Sequence, residues 1–192
     1  MNRFDLFPTT LWMGMLDIDV SIVLESINDG IICDDLFKAI KDNIPKSEVM
    51  DVPETHIHYW INFNRTGDFN RRHHHTDITT LFSGVYYLKV PPDSGRIIFH
   101  DPRSRTIDAM MDTKYCGYEP EVSIDPQPGM IIYFPSWLEH EVEKNESDEE
   151  RISIAFNITS VDELDRYKDM ENFYDNNAIA TRPDGRTEFF IS

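Results

Sequence analysis

This sequence predicts a mainly β chain, a jelly roll with N-terminal helices packed on one face, and three observations lead there. Apolar residues recur at three- and four-residue spacings near the start of the chain, the period of a helix. After Pro53 the period becomes two, the pattern of strands with distinct faces. The alternating runs are short and separated by Gly, Pro and Asn, as in antiparallel β proteins. At 192 residues one domain is expected, with roughly 70% of the unfolded surface buried. Within it, residues 1–52 form a helical support, 53–160 the jelly-roll core, and 161–192 a C-terminal helix and tail.

Residues 4–15 read as an extended lead-in, because Pro8 keeps its predecessor out of the helical region. Ile22, Val23, Ile27 and Ile31 predict a helix over 19–32, and a second follows over 34–43, ended by Pro45. In HIHYWINFN, the residues His56, His58, Trp60, Asn62 and Asn64 share one strand face; Ile57, Tyr59, Ile61 and Phe63 share the other. Residues 65–72 (RTGDFNRR) read as a loop. Residues 81–90 form a strand ended by Pro91-Pro92, with 96–100 as its hairpin partner across PPDSG. After an irregular excursion over 101–116, short strands are expected at 121–124, 130–134, 140–142 and 151–159. A helix over 162–173 and a loosely held tail complete the chain.

Composition narrows the function. Asp and Glu number 35 against 18 Lys and Arg, a net charge of −17. Such a field repels phosphate backbones, so long nucleic acids and anionic membrane surfaces are disfavoured partners. The 2 cysteines, Cys33 and Cys116, have no zinc-like spacing and fit a reducing compartment. Asp5 and Pro8 interrupt the N-terminal apolar run, and no stretch is long enough to span a bilayer. The expectation is a soluble, cytoplasmic protein.

The most informative stretch is 128–159. In RISIAFNI, period two sets Arg151, Ser153, Ala155 and Asn157 on one face and Ile152, Ile154, Phe156 and Ile158 on the other. A guanidinium beside a hydroxyl suits a ligand carboxylate. The plain alternative is the wet face of an antiparallel strand. Residues 143–150 (EKNESDEE) read as a solvated hairpin tip.

Residues 73–77 read HHHTD, and His75 and Asp77 project to one side of an extended chain. With His140 they make two imidazoles and one carboxylate, the facial triad of non-haem Fe(II) oxygenases. Either feature alone is more often structural; their coincidence with Arg151 and Ser153 is what is specific.

The blocks HTD, GVYYL, PGMIIYFPSWLEHEV and RISIAFN resemble the 2-oxoglutarate and Fe(II)-dependent oxygenases, in particular a group with SGVYYL, FPSWLxHxV and RxSIAFN blocks. The resemblance covers residues 56–159 and implies a double-stranded β-helix, the cupin-like form of the jelly roll. Members of that group carry His-x-His followed by proline where this chain reads HTD. Counting back from SGVYYL pairs His75 with Asp77, while the GDFN spacing pairs His73 with His75; both stay open.

Under the resemblance, His75, Asp77 and His140 hold Fe(II), and 2-oxoglutarate and O₂ take the open positions. Arg151 and Ser153 bind the far carboxylate of 2-oxoglutarate. Tyr87 matches a prolyl-hydroxylase tyrosine that helps bind the cosubstrate, and Asn62, with Trp60 beside it, is a candidate for the same pocket. The implied enzyme is a 2-oxoglutarate-dependent Fe(II) dioxygenase, a hydroxylase, that couples decarboxylation to succinate with oxidation of a substrate the sequence does not name. Two other readings compete: a cupin-like metal protein with non-oxygenase chemistry, and a jelly-roll binding module without catalysis. Arg65, Arg71 and Arg72, joined by Arg103 and Arg105, could form a positive rim, against the plain reading of solvated loop arginines. Oligomeric state is open, a dimer included.

Overall fold

A computed structural model describes residues 8–28, 33–46, 55–75, 80–103 and 119–160, together with the backbone of two short strands near the C-terminus. In chain order the described elements begin with β1 (Trp12–Met15), α1 (Val20–Asn28), α2 (Asp34–Asp42), β2 (Thr55–Asn64), β3 (Asn70–His73) and β4 (Thr80–Lys89). They continue with β5 (Ile97–His100), β6 (Glu121–Ile124), β7 (Met130–Pro135), β8 (His140–Val142), β9 (Arg151–Ser160), β10 (Ala180–Thr181) and β11 (Thr187–Phe189).

The strands form two antiparallel sheets. One has 7 strands in the order β1-β7-β4-β9-β2-β11-β10, and the other has 4 in the order β3-β8-β5-β6. β9 lies inside the larger sheet, paired along its length with β2 on one side and β4 on the other. Two antiparallel sheets with helices on one of them match the jelly-roll architecture, although the sheets do not join into one closed barrel.

Period two sorts the side chains of the larger sheet into two cores, with β4 and β7 supplying its share of the second. Ile57, Tyr59, Ile61, Tyr86, Ile154, Phe156 and Ile158 pack with Val23 and Ile27 of α1 and Leu36 and Ile40 of α2. Val85, Tyr87, Ile132 and Phe134 pack instead with Ile97 and Phe99 of the smaller sheet. One core joins helices to sheet, the other joins sheet to sheet.

α1 starts where Asp19 Oδ1 accepts a hydrogen bond from the Ser21 backbone at 2.9 Å, a side-chain cap on an otherwise unpaired N–H. The bonds from Ser21 hold the Asp19 carboxyl below its usual range. Ile22, expected on the buried face, points to solvent instead, 58% exposed. α2 opens with Asp34 and Asp35, favourable at the positive end of the helix dipole. Tyr133 Oη donates to the Ile40 carbonyl at 2.8 Å and fastens α2 to β7.

Three local expectations change. The run 65–72 ends in a strand, β3, because Asn70 and His73 find partners on β8 that sequence spacing does not reveal. Residues 96–100 are not the hairpin partner of β4, since β5 pairs with β6 and β8 in the other sheet. The reason lies in PPDSG. Pro91 and Pro92 have no N–H for a ladder, while Asp93 at φ 59° and Gly95 at φ 90° redirect the chain between sheets. The acidic run 143–150 is not a simple solvated tip either. Asn145 is fully buried, donates to the carbonyls of Asn64 (2.9 Å) and Glu149 (2.8 Å), and anchors the loop.

The expected helix over 162–173 lies outside the described residues. Backbone strands β10 and β11 occur in the expected tail, and β11 pairs with β2. No helix among the described residues is long and apolar enough to cross a membrane.

Candidate metal centre and anion pocket

Two short strands of the smaller sheet bring three imidazoles together. His73 ends β3 and His140 begins β8, and the two stand opposite each other in the antiparallel register. His75 follows β3, its backbone N–H donating at 2.8 Å to the carbonyl of Ser136 in the turn before β8. Their ring centroids lie 4.4 Å (His73–His140), 5.0 Å (His73–His75) and 5.3 Å (His75–His140) apart. One nitrogen from each falls within 4.8 Å of the others, a group that could hold a metal ion.

Two of these rings are oriented by the chain itself. His140 Nδ1 donates to the Leu138 carbonyl at 2.9 Å, and His73 Nδ1 donates to the Arg71 carbonyl at 2.6 Å. A carbonyl only accepts, so Nδ1 carries the proton and Nε2 holds the lone pair a metal needs. His140 is also buried against Phe134, with ring centroids 4.6 Å apart. Burial and the neighbouring His73 push its pKa down to about 3, which keeps it neutral and able to ligate.

The expected second ligand, Asp77, lies outside the described residues. His73, the alternative partner of His75, is among the three that converge.

Arg151 lines the same narrow cavity as the three histidines. It is 2% exposed, which excludes the reading of this face as wet sheet surface. Nη1 donates to the carbonyls of Ser94 (2.8 Å) and Gly95 (3.1 Å), and Nη2 to Asn64 Oδ1 (3.0 Å). Nε is buried with no partner, and no carboxylate pairs with this guanidinium among the described residues. Burial lowers its pKa, the response of a cation held out of water. A buried charge without a counter-ion is costly, so with no acidic partner among the described residues this guanidinium has the capacity to accept an anion.

The remaining candidates form a row. Ser153 of β9 pairs with Asn62 of β2 on one side and Tyr87 of β4 on the other, and all three line the cavity. Burial raises the Tyr87 hydroxyl well above its usual pKa, the nearby Arg151 pulling weakly the other way, so it remains a donor. Trp60 walls the cavity beside His75, with ring centroids 5.8 Å apart.

Sequence reasoning missed Asn64, Ser94 and Gly95 as the holders of Arg151. Asn64 was legible as a polar residue on the right face of β2, but backbone carbonyls leave no trace in residue type. Three of the arginines of the expected positive rim are paired with acids. Arg65 pairs with Glu150 at 3.5 Å, Arg103 with Asp101 at 2.7 Å, and Arg72 with Glu139, while Arg105 lies outside the described residues.

A family model described as "Putative 2OG-Fe(II) oxygenase" matches residues 58–157, the segment that carries this site. No curated protein matches the sequence. Among solved structures, an oxidoreductase of the 2OG-Fe(II) oxygenase family from Burkholderia pseudomallei is 20% identical, covering 57% of this chain and 47% of its own, with a TM-score of 0.45. This chain thus spans about half the length of that neighbour (47%). A prolyl-4-hydroxylase from Pseudomonas putida is 18% identical over 81% of this chain and 95% of its own, with a TM-score of 0.53. Apo HygX from Streptomyces hygroscopicus is 11% identical over 80% of this chain and 82% of its own, with a TM-score of 0.54. The last two establish a shared fold.

Proposed function

The chain belongs to the family described as "Putative 2OG-Fe(II) oxygenase", and from that premise we propose that it is an Fe(II)- and 2-oxoglutarate-dependent dioxygenase acting as a hydroxylase. One observation carries this reading: a cluster of three imidazoles and a buried guanidinium, which has no carboxylate partner among the described residues, line a single cavity.

The residues fit the groups the family implies. His73, His75 and His140 would hold Fe(II), with the Leu138 and Arg71 carbonyls fixing two of the rings. Three neutral imidazoles leave a divalent ion its full charge, which favours a doubly anionic partner. Arg151 would hold the far carboxylate of 2-oxoglutarate. Its unpartnered Nε marks unused donor capacity, while Asn64, Ser94 and Gly95 keep the fork in place. Ser153, Tyr87 and Asn62 would donate or accept hydrogen bonds along the cosubstrate. Bound iron would supply O₂ activation, coupled to decarboxylation of 2-oxoglutarate to succinate. The protein's own part is to ligate, orient and exclude water; Trp60, Phe134 and Phe99 furnish the apolar walls around His75 and His140.

Hydroxylation is the activity named for the Pseudomonas putida fold neighbour and is proposed here for an unnamed substrate. The test is anaerobic reconstitution with Fe(II), then oxygenation with 2-oxoglutarate and measurement of succinate. Stoichiometric iron and slow succinate release without a second substrate are expected. Iron binding with no response to 2-oxoglutarate would favour a cupin-like protein of different chemistry. Absence of iron binding would leave a binding module.

A further inference from the structure

We propose that the ion pair between Arg72 and Glu139 is a clasp that positions the imidazoles of His73 and His140, an inference that rests on the metal-site reading above. The two strands that carry these histidines are weakly joined. β3 and β8 share two backbone register points, Asn70 with Val142 and His73 with His140, and a register shift lies between them. Such a shift leaves residues unpaired and the ladder locally disrupted. The ladder pairs His73 directly with His140, but next to the shift a side-chain contact can add to what holds the two rings at a centroid distance of 4.4 Å.

The same short motif occurs on both strands. His73 bonds through Nδ1 to the carbonyl two residues back, that of Arg71, and His140 bonds likewise to the carbonyl of Leu138. In each case one residue stands between the carbonyl and its histidine: Arg72 on the first strand and Glu139 on the second. Those two residues bond to each other. Arg72 Nε donates to Glu139 Oε2 at 2.9 Å, and Nη2 donates to the same oxygen. The clasp therefore ties together the two backbone segments whose carbonyls orient the rings. Its second strand is anchored in turn, because the Glu139 carbonyl accepts from the His100 N–H of β5 at 2.9 Å. As a surface ion pair it would be worth little to folding, with side chains 33% and 27% exposed. Its value is geometric: the carbonyls of Arg71 and Leu138 are the outer partners of the imidazoles, and such partners commonly set metal affinity by ~10–100-fold.

The experiment is anaerobic titration of the full chain with Co(II) against a chromophoric chelator. It records the Co(II) ligand-field spectrum and the melting temperature of the metal-free protein. The proteins are wild type, Arg72→Gln, Glu139→Gln, and the double exchange Arg72→Glu with Glu139→Arg. Each single variant should bind Co(II) ~10-fold or more weakly, with altered ligand-field bands and a metal-free melting temperature close to wild type. The double exchange should recover most of the affinity and the wild-type bands.

The clasp is overturned by single variants that keep wild-type affinity and spectrum, or by a double exchange as weak as the singles. It is also overturned if Arg72→Gln tightens binding while Glu139→Gln weakens it, since that is charge acting at a distance. A loss of affinity matched by a collapse in metal-free stability would assign the pair to folding instead. Wild type that fails to bind Co(II) would sink the metal-site reading itself; wild type that binds, with indifferent variants, would sink the clasp alone.

Discussion

Arg151 and Asn64 are register partners in the β2–β9 ladder, and the guanidinium reaches across to Asn64 Oδ1 at 3.0 Å. A neutral amide aims the cation without cancelling its charge, which an aspartate at the same place would do. The two residues therefore have separable roles. Arg151→Gln should weaken 2-oxoglutarate binding by ~100-fold, because a hydrogen bond to a charged group contributes about 1.5–3 kcal/mol. Asn64→Ala should cost less, on the order of 1 kcal/mol, since the Ser94 and Gly95 carbonyls still hold the fork. Calorimetric titration of the metal-loaded protein with 2-oxoglutarate measures both.

The depressed pKa of His140 gives the metal-free protein a predictable acid sensitivity. Its value falls from 6.5 to about 3 on folding, chiefly through burial. Between those limits the unfolded chain binds the proton and the folded one does not, so stability is fully present above about pH 6.5 and drains away as pH falls towards 3. The slope from this one residue is at most about 1.4 kcal/mol per pH unit. Urea melts from pH 7 to 4 should show it, and His140→Gln should flatten the profile.

The identity of the third metal ligand is decided by two substitutions. His73→Ala should weaken iron binding by more than the ~10–100-fold that outer partners command, because His73 belongs to the cluster within 4.8 Å. Asp77→Ala should leave iron affinity largely intact. Equilibrium dialysis under anaerobic conditions distinguishes them, and the reverse outcome would restore the carboxylate as ligand.

Gly84 should tolerate no side chain. A Cβ there would lie 2.3 Å from Phe156 Cζ and 2.7 Å from the Ile132 carbonyl, inside the core of the larger sheet. Gly84→Ala is expected to destabilise the protein by roughly 1–3 kcal/mol, as overpacked cores do, and chemical denaturation measures it. This close approach explains the glycine in the SGVYYL block.

Several of these residues were legible in the sequence. Period two in RISIAFNI and HIHYWINFN placed Arg151, Ser153, Asn62 and Asn64 on one side and the isoleucines on the other, because a strand leaves no choice of face. Asn145 was not legible: nothing in EKNESDEE distinguishes an amide that will accept full burial from one left in water. The pairing of Arg65, Arg72 and Arg103 was not legible for the same reason. Residue type announces a charge, but whether Glu139, Glu150 or Asp101 lies within reach depends on segments distant along the chain.

By itself the sequence determined the alternation of faces, the helix-then-strand order and the placing of Arg151 and Ser153 on one strand face in a chain that also carries a histidine run at 73–75. Only the tertiary structure decided that β5 leaves the sheet of β4, that His73 stands opposite His140, and that Arg151 is buried with no counter-charge among the described residues. The physical reason is that periodicity is a local property of the backbone, whereas register and burial are set by which strands meet, and those contacts join residues far apart in the chain.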